Sequence, residues 1–231
     1  MSEAGAELLT RFAAIRAKVD AATRAAGREP ASVGLVAVSK IHPYEKIRAL
    51  YEAGHRDFGE NYVQELVEKA NRAKVDGLTE IRWHFIGHLQ SNKVKMLVPH
   101  VFMIHGIGSL RLAEEVSKRA ENRRIPALIE VNVDDQESKS GVQISELRPL
   151  IEGATRLPGI EIQGLMCIPD PERPNGASEA FRRLAALAAD HGLRVLSMGM
   201  TADFVDAIAA GSTLVRIGTA IFGERSPREK L

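Results

Sequence analysis

A single cysteine, Cys167, in a chain of 231 residues leaves no internal disulfide to make and no cysteine-rich zinc cage to build. It lies in the apolar strand end Gly164-Leu-Met-Cys-Ile-Pro169, where a passive buried thiol is expected. Neither sign of charge dominates, since 31 Lys plus Arg stand against 30 Asp plus Glu. No long-range field therefore favours nucleic acid or an anionic membrane. The denser basic groups, Lys118-Arg119 and Arg123-Arg124, read as solvated helix faces. No run approaches the twenty or so apolar residues that a spanning helix needs, and Glu3 and Glu7 make the start unlike a signal peptide. A soluble cytoplasmic protein is expected. There is no short-period repeat and no low-complexity tract. His84 and His88 stand four apart, but a strand and its turn intervene, and His105 is too isolated to help, so no metal site is expected. The acidic stretch Asp134, Asp135, Glu137 with Lys139 and Gly141 lacks calcium-loop spacing and reads as a solvated turn.

What the chain does have is an alternation. Leu8, Leu9, Phe12, Ile15, Val19 and Ala22 recur at three and four, which predicts an amphipathic helix over 3–26, ended by Gly27. Strands are expected at 33–40, 55–60, 81–86, 100–105, 125–133, 160–166, 193–198 and 213–217. Helices are expected between them at about 43–53, 62–70, 91–97, 109–122, 143–155, 177–190 and 201–210, with a short one at 219–223. A chain that is 45% hydrophobic is ample for one core. Eight strand–helix units with no composition shift predict a single (β/α)₈ barrel domain over 1–231, with an extra N-terminal helix. A doubly wound sheet is the alternative.

Active groups of such a barrel sit at strand C-termini. The first strand, Val-Gly-Leu-Val-Ala-Val-Ser-Lys, ends in Lys40, on the face shared with Val36 and Val38. A partly dehydrated amine there could attack an aldehyde, or the lysine could simply snorkel to solvent. After strand seven, Leu-Ser-Met-Gly-Met-Thr supplies the hydroxyls of Ser197 and Thr201 around Gly199, though turn duty and capping of the next helix by Thr201 explain them equally. Arg216 shares the inward face with Leu214, where it needs an anion or an acceptor as partner, an internal salt bridge included. Gly218 and Thr219 precede a short helix, in the place where barrels commonly hold phosphate. Asn61 either reaches a ligand or caps the helix after it. Strands one and eight are neighbours in a closed barrel, so Lys40 and Gly218 would pin a phosphorylated aldehyde at both ends. Pyridoxal 5′-phosphate (PLP) and a sugar-phosphate aldolase substrate both answer that description.

Seven stretches, in register over nearly the whole chain, resemble the PLP homeostasis proteins. They are Leu35-Val-Ala-Val-Ser-Lys40, Phe58-Gly-Glu-Asn-Tyr-Val-Gln-Glu65, Trp83-His-Phe-Ile-Gly-His-Leu-Gln-Ser-Asn-Lys93, Glu137-Ser-Lys-Ser-Gly141, Gly164-Leu-Met166, Leu196-Ser-Met-Gly-Met-Thr201 and Val215-Arg-Ile-Gly-Thr-Ala-Ile-Phe-Gly223. The resemblance implies an alanine-racemase-type barrel with Lys40 as Schiff-base residue. It places Ser197, Gly199, Met200, Thr201, Gly218 and Thr219 around the phosphate, Arg216 on the cofactor, and Asn61 and Met166 near it. It further implies a carrier or regulator of vitamin B6 rather than an enzyme, with apo-forms of PLP enzymes and an amino or keto acid as partners, acting as a monomer. Two departures stand out: Thr201 takes the place of a usual serine, and His105-Gly-Ile-Gly108 is looser than the usual stretch. A PLP-dependent racemase is the alternative, with Tyr62 and His88 as weak candidates for a second base.

Overall fold

The computed structural model describes residues 3–134, 140–170 and 176–224. Its elements in chain order are α1 (Glu3–Ala25), β1 (Gly34–Val38), α2 (Tyr44–Glu52), β2 (Asp57–Glu60), α3 (Val63–Val75), β3 (Arg82–Phe85), α4 (Val94–Leu97), β4 (Met103–Ile107), α5 (Leu110–Arg119), β5 (Ile125–Glu130), α6 (Ile144–Thr155), β6 (Ile160–Met166), α7 (Gly176–Asp190), β7 (Val195–Ser197), α8 (Phe204–Ala209), β8 (Leu214–Ile217) and α9 (Thr219–Phe222). Among the described residues, the strands run parallel in order one to eight and close when β8 pairs with β1. This is the (β/α)₈ barrel read from the alternation, with α1 as the added helix.

Period two divides each strand between two layers. Leu35, Ala37, Phe58, Phe85, Ile104 and Ile129 point outward and pack under the helices in the main core. Burying each of the larger ones contributes about 1.5–3 kcal/mol. Inside the barrel only a small apolar plug forms, from Met103, Leu128 and Met166 with Val195 and Leu214 against it. Apart from Val36 and Val38, which share the inward face with Arg216, the described interior carries many polar side chains, which sets this barrel apart from one filled with branched aliphatics. Helix α1 buries Leu8, Ile15 and Val19 and is tied down where Arg11 Nε donates to Ile221 O at 3.0 Å.

Some boundaries differ from the sequence reading. The fourth strand lies at Met103–Ile107 rather than 100–105. Val101 N still donates to Leu97 O, prolonging the preceding helical turn, while Gly106 and Ile107 stay in the sheet through a shift in register against β5. The fifth strand stops at Glu130, and Val131 then makes an isolated bridge to Val142. Thr201 does not cap α8, which starts at Phe204. The intervening turn is closed instead by Asp203 Oδ1, which accepts from Met200 N at 2.6 Å. Asp134 Oδ2 accepts from Asp170 N, while Asp135, Glu137 and Lys139 lie outside the described residues.

Candidate functional site

Strand β1 ends at Val38 and is prolonged by one further bond, Ser39 N to Gly59 O at 3.0 Å. Lys40, half-buried, follows at the C-terminal rim. It lines a cavity of about 350 Å³ together with Asn61, Met200, Thr201, Arg216, Gly218 and Thr219. That volume falls in the range usual for small-molecule sites. A recess of about 440 Å³ between α5 and α6 has Glu146 as the one charged residue in its lining and no lysine.

The turn carrying Lys40 is held from behind. Lys69, on the buried face of α3, donates to Ser39 O at 2.8 Å, Glu60 Oε1 at 2.8 Å and Glu65 Oε1 at 2.7 Å, which uses all three ammonium protons. Ser39 Oγ donates to Glu60 Oε1 at 2.6 Å, and Ile41 N donates to Glu65 Oε1 at 2.6 Å. Both residues flanking Lys40 are thus pinned to carboxylates that one lysine bridges. Ile41 has φ of 68°, a left-handed conformation that a β-branched residue adopts only under constraint. Burial pushes the Glu60 carboxyl up to about 7, against the pull of Lys69.

Asn61 does not cap α3. The cap position is Tyr62, whose side chain makes no capping bond, and Asn61 Oδ1 is a buried acceptor with no partner beside the cavity. On the opposite wall, Gly199 adopts φ of 93°, and a Cβ there would stand 2.6 Å from Ala207 Cβ. Glycine is what lets α8 close onto the β7 turn. A Cβ on Gly218 would meet Val38 O at 3.2 Å, so the ends of β1 and β8 approach closely across the rim.

Arg216 is 4% exposed and faces into the barrel, as its alternation with Leu214 implies. Its partners are neutral: Nη1 donates to Ser197 Oγ at 2.7 Å and Nη2 to Cys167 O at 3.1 Å. Burial lowers its proton affinity. The structure therefore brings together Lys40, Asn61, Met200, Thr201, Arg216, Gly218 and Thr219, but not three other residues read from the sequence. Ser197 is fully buried with its hydroxyl engaged inside the barrel, Met166 belongs to the interior plug, and Gly199 supports the turn from beneath.

His105 is not isolated. Its Nε2 lies 2.9 Å from His84 Nδ1 and its Nδ1 lies 2.8 Å from Ser197 Oγ, while His84 Nε2 lies 3.0 Å from Asp57 Oδ1. Although burial opposes it, the hydrogen bonds from His84 and Arg82 hold the Asp57 carboxyl down at about 2. Among the described residues no three potential metal ligands converge. The signal for this row was the recurrence of polar residues at inward positions of β2, β3, β4, β7 and β8. His88 is exposed and lines a separate recess with Tyr62, Gln90 and Lys93.

Residues 11–226 match the model of the alanine racemase N-terminal domain family. A PLP homeostasis protein of Escherichia coli strain K12 is 42% identical, covering 97% of this chain and 99% of its own length. The chain belongs to the PLP homeostasis protein family. A Pseudomonas aeruginosa member is 43% identical over 93% of this chain and 94% of the relative. Among solved structures, the Synechococcus elongatus family member PipY with PLP bound superimposes with a TM-score of 0.79. It is 34% identical and covers 94% of this chain and all of its own.

Proposed function

We propose that the protein binds PLP in the cavity at the C-terminal rim and serves PLP homeostasis, with Lys40 as the Schiff-base residue. Bound there, the cofactor supplies an aldehyde that condenses reversibly with a primary amine. The observation that carries the reading is the meeting, in one cavity, of the strand-one amine with Arg216, Gly218 and Thr219 of the final strand and its turn. The chain's own groups suit the cofactor. Lys40 offers the amine, the Thr201 and Thr219 hydroxyls and the guanidinium of Arg216 offer donors for an anion, and Asn61 Oδ1 is an acceptor awaiting a donor. Met200 and Gly218 supply walls that admit a flat ring. Ser197 acts through Arg216, Gly199 through the turn it permits, and Met166 through the plug beneath the cavity.

The names of the relatives support a binding and homeostasis role rather than turnover. In this reading the whole chain, 1–231, is one domain, works as a monomer in the cytoplasm, and passes PLP to apo-forms of PLP enzymes, with an amino or keto acid as a second ligand. No helix among the described residues is long and apolar enough to cross a membrane, which agrees with that location.

Titration of the purified protein with PLP, followed by absorbance, tests the reading. Wild type is expected to gain a saturable visible band, and Lys40→Ala is expected to stay folded by circular dichroism without it. No saturable band in the wild type would overturn the proposal. Steady-state racemisation of several amino acids would replace it with the enzyme reading.

A further inference from the structure

The row of polar side chains running through the barrel has a direction. Arg216, Ser197, His105 and His84 are 4%, 0%, 0% and 1% exposed, so their polar atoms bond within the protein rather than to bulk water. A guanidinium can only donate and a carboxylate can only accept. With both rings neutral, the carboxylate of Asp57 sets the direction: at the far end the Ser197 hydroxyl donates to His105 Nδ1 while its oxygen accepts from Arg216. His105 then donates from Nε2 to His84 Nδ1, and His84 donates from Nε2 to Asp57 Oδ1. In that arrangement each ring carries its proton on Nε2, and Arg82 Nε donates to the terminal carboxylate at 2.7 Å. Burial, which holds His105 well below the ordinary histidine range, agrees with a neutral ring. Charging either ring would reverse every bond between it and Ser197 and displace the hydroxyl proton from His105 Nδ1.

We propose that Asp57, His84 and His105 are positioning residues for Arg216: their one-way hydrogen-bond row takes up the Ser197 hydroxyl proton, which orients the oxygen lone pairs and fixes the guanidinium at the cavity wall. The row starts near the N-terminal end of β2 and finishes at the C-terminal rim, so a change at Asp57 is felt across the barrel. None of the three is among the residues that line the cavity. The consequence for the ligand rests on the PLP reading above; the proton arrangement does not.

Two measurements test it. Nitrogen-15 spectra of histidine-labelled, ligand-free protein at neutral pH are expected to show His84 and His105 neutral and protonated on Nε2. A proton on Nδ1 of either ring, or a charged ring, overturns the proposal. In PLP-loaded protein, Asp57→Asn offers His84 an amide that can donate, and is expected to change the rate of cofactor loss roughly threefold or more and to move the absorbance band. In a Ser197→Ala background the same substitution is expected to change neither. Equal effects in both backgrounds would reduce Asp57 to a stabilising residue and overturn the proposal. Should Asp57→Asn not fold, His84→Gln breaks the row one step further in and is read in the same two backgrounds. A wild type that takes up no PLP sinks the cofactor reading, and the nitrogen spectra, with the His105 tautomer expected to change on Ser197→Ala, then decide the row alone.

Discussion

Replacing Lys69 by Met removes an ammonium that is 7% exposed and leaves Glu60, fully buried, facing only the Ser39 hydroxyl. Glu60 Oε2 already lacks a partner. Breaking one side of a buried pair in this way costs about 3–5 kcal/mol, because the remaining charge is left in a poorly polarisable site. Protonation limits the loss. Burial already holds the Glu60 carboxyl at about 7, above its ordinary 4.5, and removing Lys69 takes away the main influence lowering it. A carboxyl whose affinity for protons is higher in the fold than in the unfolded chain loses stability as pH rises above the unfolded value. Staying protonated costs about 1.36 kcal/mol per pH unit above the wild-type value of about 7, so the penalty of Lys69→Met is expected to be small near pH 5 and to grow by up to ~1.4 kcal/mol near pH 8. Urea denaturation of wild type, Lys69→Met, and Lys69→Met with Glu60→Gln, at both pH values, measures it. The double variant is expected to recover much of the loss, since the stranded charge is gone. A penalty that does not grow between pH 5 and pH 8, or a Glu60→Gln change that adds to the loss, would refute the reasoning.

Three further outcomes follow from single contacts. Gly199→Ala places a Cβ 2.6 Å from Ala207 at φ of 93°, so strain and overpacking together should cost ~2–4 kcal/mol in chemical denaturation; a loss below about 0.5 kcal/mol contradicts the close approach. His55, wedged by Phe12 and Phe58, is held by burial at about 4 against an ordinary 6.5. The unfolded chain takes up that proton first, so stability should fall by up to ~3 kcal/mol as pH drops from 6.5 to 4, and His55→Gln should flatten this part of the profile. Arg216→Glu should speed loss of bound PLP in dialysis, and an unchanged rate would mean that the guanidinium does not face the ligand.

The barrel was legible because most strands carry an apolar run bounded by turn residues, and even the short polar-edged β2 and β3 keep the strand–helix rhythm. Inward and outward faces also alternate with a period that the local sequence carries. Lys40 and Arg216 were legible for the same reason: a charge on the face of Val36 or Leu214 has to be explained. Partners contributed by distant strands were not. His84, His105, Ser197 and Asp57 meet only once register across five strands is known, and a one-residue shift, such as that in β4, turns an inward histidine outward. Lys69 offered half a signal, its four-residue spacing from Glu65, but the turn it clasps at Ser39 lies thirty residues away in sequence. Thr201 was placed at a helix start because its type suits a cap. The left-handed Gly199 turn and the Asp203 bond delay that helix to Phe204.

Reduction of the PLP-treated protein with borohydride, followed by digestion and mass spectrometry, bears most directly on the central claim that the strand-one lysine holds the cofactor. The expected result is one pyridoxyl-modified peptide, containing Lys40. Modification spread over exposed lysines with Lys40 untouched would contradict the account.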